Sequence, residues 1–215
     1  MKRTWIHVAG VAALALWVAI AWARGNGAPA SRTGAPATGG IAAETNCTGC
    51  HSGNALNSGG SISILGVPAL FRGGRTYRLT VHLASTQTAA VTGRTWGFQM
   101  TAVDTATGQG VGTFAPVNAA ETGLVAGSGS YVSRTYVNQL SGGIRSGTAS
   151  PVEWLVDWTA PAAGVTRVRF YAAGLAGDGN STNGDWVYTG SAATTDTTTA
   201  AIPVTWGQIK ASYLR

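Results

Sequence analysis

Tyr77-Arg78-Leu79-Thr80-Val81-His82-Leu83 is apolar at every odd position and polar at every even one. Successive side chains of a β-strand point to opposite faces, so this run reads as a strand with one buried and one wet face. The same two-residue period recurs outward from it. Trp96, Phe98, Met100 and Ala102 alternate with Gly97, Gln99 and Thr101, and Val152 to Trp158 and Val165 to Tyr171 read likewise. Val111 to Phe114, Tyr131 to Val137 and Trp186 to Tyr188 are further expected strands. Stretches rich in Gly, Asn, Ser and Thr separate these runs, and beyond the N-terminus no long helical period or internal repeat is visible. The pattern predicts an all-β fold, an antiparallel β-sandwich spanning residues 61–215.

The chain upstream has a different texture. Lys2 and Arg3 precede an apolar run from Trp5 to Trp22, which ends at Ala21-Trp22-Ala23 and polar Arg24-Gly25-Asn26. This order of charge, apolar stretch and small-residue site predicts a signal peptide over 1–23, cleaved after Ala23. The alternative is an uncleaved N-terminal membrane anchor, since the run is near the shortest length that spans a bilayer. No later segment reads as membrane-spanning. Residues 24–46 are mostly Gly, Ala, Pro, Ser and Thr and read as a flexible spacer. The location expected is periplasmic or secreted.

Cleavage would leave 192 residues, enough for one domain with a substantial core, and would take the formal net charge from +6 to +4 through loss of Lys2 and Arg3. The remaining positive charge is carried mainly by scattered arginines, with no basic run or basic helix. Nucleic acid is therefore not an expected partner. A diffuse positive surface suits an acidic partner protein of the kind redox carriers use.

Reactive chemistry is concentrated in Cys47-Thr48-Gly49-Cys50-His51, within a polar segment over 47–60. Two thiols at this spacing reach the two vinyl groups of one haem, and the adjacent histidine then falls under the iron as its proximal ligand. Cys47, Cys50 and His51 are thus the expected attachment residues for a single covalent haem c, with His51 as the iron ligand. Export favours this reading, as does the absence of any other cysteine in the chain. Two readings compete. A disulfide across the pair suits an oxidising compartment, whereas zinc lacks a fourth ligand nearby.

For the sixth iron position the leader-free chain offers His82, Met100 or nothing. His82 lies on the polar face of its strand, and Met100 shares a face with Trp96 and Phe98, which reads as core. Asp178-Gly179-Asn180 and Asn183-Gly184-Asp185 gather oxygen ligands that calcium accepts, yet the spacing misses the helix-loop-helix calcium pattern and a turn accounts for the same residues. The eight acidic residues form no evident catalytic pair, and neither a serine elbow nor a zinc-protease motif is present. Enzymatic activity is not expected.

The motif and the chain downstream of it resemble a group of exported bacterial proteins with a Reeler-like β-sandwich, the choice-of-anchor V or Reelin-domain proteins. The resemblance covers about residues 45–190. It is carried in order by Cys47 to Gly53, Tyr77 to Val81, Gly97-Phe98-Gln99-Met100-Thr101-Ala102, Gly112-Thr113-Phe114, Trp158-Thr159-Ala160-Pro161, Phe170 to Gly174 and Gly184-Asp185-Trp186-Val187-Tyr188. It implies an immunoglobulin-like sandwich of Reeler type. The chain departs from the group at Tyr136-Val137-Asn138-Gln139, where members often carry a histidine, and in ending Trp206 to Arg215, where many members carry a membrane or sorting anchor. The function expected is that of an exported monohaem c-type protein in electron transfer or in redox or ligand sensing. The alternative is a haem-free extracellular binding or adhesion module with the cysteines as a disulfide.

Overall fold

The computed structural model describes residues 26–197 and Lys210. The expected leader over 1–23 lies outside the described residues. Among them are ten strands: β1 (Gly60–Leu65), β2 (Leu70–Phe71), β3 (Thr76–Ser85), β4 (Thr95–Asp104), β5 (Thr113–Pro116), β6 (Thr122–Ala126), β7 (Thr135–Gln139), β8 (Val152–Thr159), β9 (Arg167–Gly177) and β10 (Trp186–Asp196). They form the expected β-sandwich. One sheet has the order β1-β3-β8-β5, and the other β2-β10-β9-β4-β7-β6. Every pairing is antiparallel except the short parallel contact of β2 with β10.

The two-residue alternation sets the core. Leu79, Val81 and Leu83 of β3 and Val152, Trp154, Val156 and Trp158 of β8 face Trp96, Phe98, Met100 and Ala102 of β4 and Val168 and Phe170 of β9, all buried. Rings lock the two sheets together: Phe98 stacks 4.8 Å from Trp154, and Trp158 meets Phe170 edge-on at 4.9 Å. Buried indoles need acceptors, and each has one. Trp96 donates to the Thr148 carbonyl at 3.0 Å, Trp154 to Gly143 at 2.7 Å and Trp158 to Val111 at 3.2 Å.

The outer faces of the sheets differ. On the four-stranded sheet, β3 and β8 place Arg78 opposite Asp157 and His82 opposite Glu153. Arg78 donates to Asp157 at 2.6 and 3.1 Å, and His82 Nδ1 lies 2.8 Å from Glu153 Oε1. These are cross-strand pairs in water. On the six-stranded sheet, Gln99, Thr101 and Asn138 face outward by the same alternation, yet they are fully buried.

What buries them is the segment read from composition as a flexible spacer. From Asn26 to Asn46 it lies packed against this sheet. Asn138 Nδ2 donates to the Ala28 carbonyl at 2.7 Å, Gln99 Nε2 to the Pro29 carbonyl at 2.8 Å, and the Arg32 amide to Gln99 Oε1 at 2.6 Å. Further along, the Glu44 carboxylate is buried in an ion pair with Arg134. It also accepts hydroxyl bonds from Tyr136 and Thr33, both at 2.6 Å. Arg134 is completed by the Gly108 carbonyl at 2.8 and 3.0 Å. A segment poor in apolar residues is therefore held by buried polar groups paired with the sheet, a source of order that composition does not report.

Candidate functional site

Asn46 caps a single 3₁₀ turn over Cys47–Gly49, its side chain accepting the Thr48 amide at 2.8 Å. The amides of Cys50 and His51 both donate back to the Cys47 carbonyl, at 3.1 and 2.9 Å. This tight turn brings Cys47, Cys50 and His51 to one wall of a single cavity of about 380 Å³, within the size range of cofactor pockets. Both cysteines are free thiols.

The rest of the cavity is built from five other parts of the chain, two of them consecutive, β9 and the loop that follows it. β4 contributes Trp96, Gly97 and Phe98, and the antiparallel β9 contributes Leu175 and Gly177 at the same end of the sheet. Gln139 closes β7, and Ile144 lies just beyond it. The N-terminal segment adds Ala28, Pro29 and Arg32, and the β9–β10 loop adds Asp185. Gly97 leaves room here, since a Cβ would lie 3.0 Å from the Gln139 side chain.

Asp185 is the residue that sequence reasoning did not assign to the site. Its sequence context reads only as a turn or a calcium loop, yet it is 2% exposed, and its Oδ2 lies 2.6 Å from His51 Nδ1. A carboxylate accepts, so Nδ1 carries the proton and the lone pair of Nε2 is left uncommitted. The backbone repeats the connection. Asp185 donates its amide to the Ser52 carbonyl at 2.9 Å and accepts the Asn54 amide at 3.2 Å, while Ser52 donates to Thr182 at 2.8 Å. Gly53 and Gly184 permit this approach. Gly53 has φ +129°, and a Cβ there would lie 2.5 Å from the Gly184 nitrogen. Asp185 Oδ1 accepts the Asp178 amide at 3.1 Å, and Asp178 Oδ1 accepts the Asn180 amide at 2.7 Å. The acidic groups of the loop are thus engaged in shaping it and in holding the motif. No group of three or more metal-ligating acid, thiol or imidazole side chains occurs among the described residues.

Desolvation pushes the Cys47 thiol up to about 12, outweighing a lowering backbone hydrogen bond. Thiols that exchange disulfides are activated in the opposite direction. The residues present fit a covalently held haem on three further counts. Both thiols line the same cavity as the imidazole. The imidazole is oriented by a buried carboxylate, the usual outer partner of a metal-binding histidine. And Arg32, in the cavity wall, has a buried Nε with no hydrogen-bond partner. A guanidinium nitrogen only donates, so this orphan calls for an acceptor such as a propionate.

The structure places both side-chain candidates for the sixth iron position elsewhere. His82 is on the outer face of the four-stranded sheet with Glu153, and Met100 is fully buried between the sheets. Neither lines the cavity.

No protein-family model matches the chain, and no curated protein matches it. Among solved structures it is similar to the reeler domain of human F-spondin, with 18% identity, 66% of this chain and 94% of that one covered, and a TM-score of 0.44. It is similar also to the Reelin-N domain of F-spondin, at 18% identity, 70% and 96% coverage and a TM-score of 0.40. A further similarity is to a cohesin module from a Clostridium perfringens family 33 glycoside hydrolase, at 12% identity, 64% and 96% coverage and a TM-score of 0.39.

Proposed function

We propose that this chain is an exported monohaem c-type protein in which a β-sandwich presents one covalent haem outside the cytoplasm. The observation that carries the reading is the convergence of Cys47, Cys50 and His51 on one largely apolar cavity, with His51 Nδ1 held by buried Asp185. Each thiol would add across one vinyl group, sulfur bonding one carbon and hydrogen going to the other, so attachment needs no oxidant. His51 Nε2 would hold the iron, and Arg32 Nε would hold a propionate. Once bound, the group supplies one-electron chemistry and an iron that takes small ligands. The protein's part is to hold the ring, to exclude water with Trp96, Phe98, Ile144 and Leu175, and to keep the Nδ1 proton on the Asp185 side.

The leader over 1–23 supports export to the compartment where this attachment occurs. Among the described residues no helix is long and apolar enough to cross a membrane. A redox partner protein is the partner expected of such a carrier.

The test is a pyridine haemochrome spectrum with intact mass, on full-length chain co-expressed with haem-maturation machinery. A c-type spectrum and the added mass of one haem are expected, and Cys50→Ser should abolish the two-bond attachment. Haem-free protein with both cysteines oxidised, despite working maturation, would sink the reading in favour of a binding or adhesion module stapled by a disulfide.

A further inference from the structure

We infer that the haem site leaves the second axial position of the iron without a protein ligand and serves a small neutral ligand of the carbon monoxide or nitric oxide class. This rests on the proposed haem function.

The imidazole and thioether side chains of this chain are few and can be followed one by one. The sequence contains three histidines and two methionines. His51 is the proximal ligand in the haem reading, while Met1 and His7 belong to the segment read as a cleaved leader. His82 is on β3, in the other sheet, with its ring tied to Glu153 on the outer face. Met100 is on β4 with its side chain in the core. Neither lines the cavity: His82 lies on the outer face of the other sheet, and Met100 is held in the close-packed core by its neighbours.

The cavity wall itself is apolar where a ligand would need shelter. Trp96, Phe98, Ile144 and Leu175 carry no atom that ligates iron in the manner of imidazole or thioether. Gln139 interrupts this wall in a particular way. Its Oε1 accepts the Phe98 amide at 2.9 Å, which fixes the orientation of the side chain, and its Nε2 makes no hydrogen bond among the described residues. A single amide donor in an apolar pocket is what holds a small polarisable ligand, because distal donors and polarity govern what a haem binds and retains.

The experiment uses haem-loaded full-length protein whose covalent attachment has been established by haemochrome. Dithionite-reduced protein should give a carbon monoxide difference spectrum, and His82→Ala and Met100→Leu should leave that spectrum unchanged. Gln139→Glu keeps the acceptor for Phe98 while deleting the amide donor, and it should shift the C–O stretching band of the complex. A haem-loaded but low-spin protein that ignores carbon monoxide would overturn the inference and leave the haem reading intact, and conversion to high spin in His82→Ala or Met100→Leu would overturn it by naming the ligand. An unmoved stretch in Gln139→Glu would overturn the role given to that residue. Protein that takes no haem at all fails the underlying reading instead, and the haemochrome distinguishes the two.

Discussion

A single carboxylate does two jobs at the candidate site. The Asp185 side chain orients His51 through a 2.6 Å bond to Nδ1, and its backbone knits the motif segment to the β9–β10 loop. Truncation to alanine strands the Nδ1 proton and the Asp178 amide, so Asp185→Ala in haem-free protein should lose about 1–3 kcal/mol in a denaturant titration. The conservative change separates orientation from electronics. Asp185→Asn retains an oxygen acceptor but removes the charge that enriches the imidazole, so the ferric form loses support. The midpoint potential of the haem-loaded variant should therefore rise in spectroelectrochemistry. A potential unchanged in fully loaded Asp185→Asn would reduce Asp185 to a loop staple. The sequence displayed Cys47, Cys50 and His51 because adjacency is their chemistry. Asp185 lies 134 positions from His51, and in the one-dimensional pattern its Asn-Gly-Asp context signals only a turn.

The packed N-terminal segment shows what composition conceals. Residues 26–46 contain little to bury, but Glu44 enters the protein with Arg134, Tyr136 and Thr33 around it. Removing one partner of a buried pair leaves the other charge uncompensated, at a cost of about 3–5 kcal/mol. Glu44→Ala should show that loss in urea unfolding, along with new protease cleavage between residues 33 and 43 under native conditions. Glu44→Ala combined with Arg134→Met should recover a large part of it. Equal stability of Glu44→Ala and the parent would mean that the buried Glu44–Arg134 pair contributes nothing to the fold. A sequence signal for this covering did exist. The outward positions of β3 and β8 carry Arg78, His82, Glu153 and Asp157, whereas those of β4 and β7 carry Gly97, Gln99, Thr101 and Asn138. A strand face with amides and no charges is one that something covers. The far half of β10, Thr189 to Thr195, carries no such signal: small residues without apolar alternation are kept in the strand by pairing with β9.

At the scale of the molecule, alternation sufficed for fold class because each strand reports its own buried face, while strand order depends on pairings such as β3 with β8 that no local pattern encodes. The cavity was illegible for the same reason, its walls coming from five separated stretches of chain. The assembled protein also gains a pH response that no single segment has. Desolvation raises the Cys47 thiol to about 12 and raises the phenols of Tyr136 and Tyr188, with the Glu44 hydrogen bond adding to the shift at Tyr136. A group whose pKa is raised on folding holds its proton more tightly in the folded chain, so stability is complete below the unfolded value and falls as pH climbs toward the folded one. With unfolded values near ~8.5 for a thiol and ~10 for a phenol, loss begins at the cysteine and steepens at the tyrosines. On the acid side Arg78 and Arg145 lower Asp157 and Glu121 by direct hydrogen bonds, which contributes stability above about pH 4 that disappears on further acidification. Those carboxylates are solvent-accessible pairs and their share is small. Reduced, haem-free protein should therefore show a melting temperature that is flat from neutrality to about pH 8.5 and declines above it. Cys47→Ser removes the first proton, so its decline should start nearer to about pH 10. Haem-loaded protein should behave like Cys47→Ser, because a thioether sulfur has no proton to lose. Melting curves of the three forms from about pH 7 to about pH 11 provide the check, and superimposable alkaline limbs for reduced haem-free protein and Cys47→Ser would show that the Cys47 thiol is not desolvated in the folded chain.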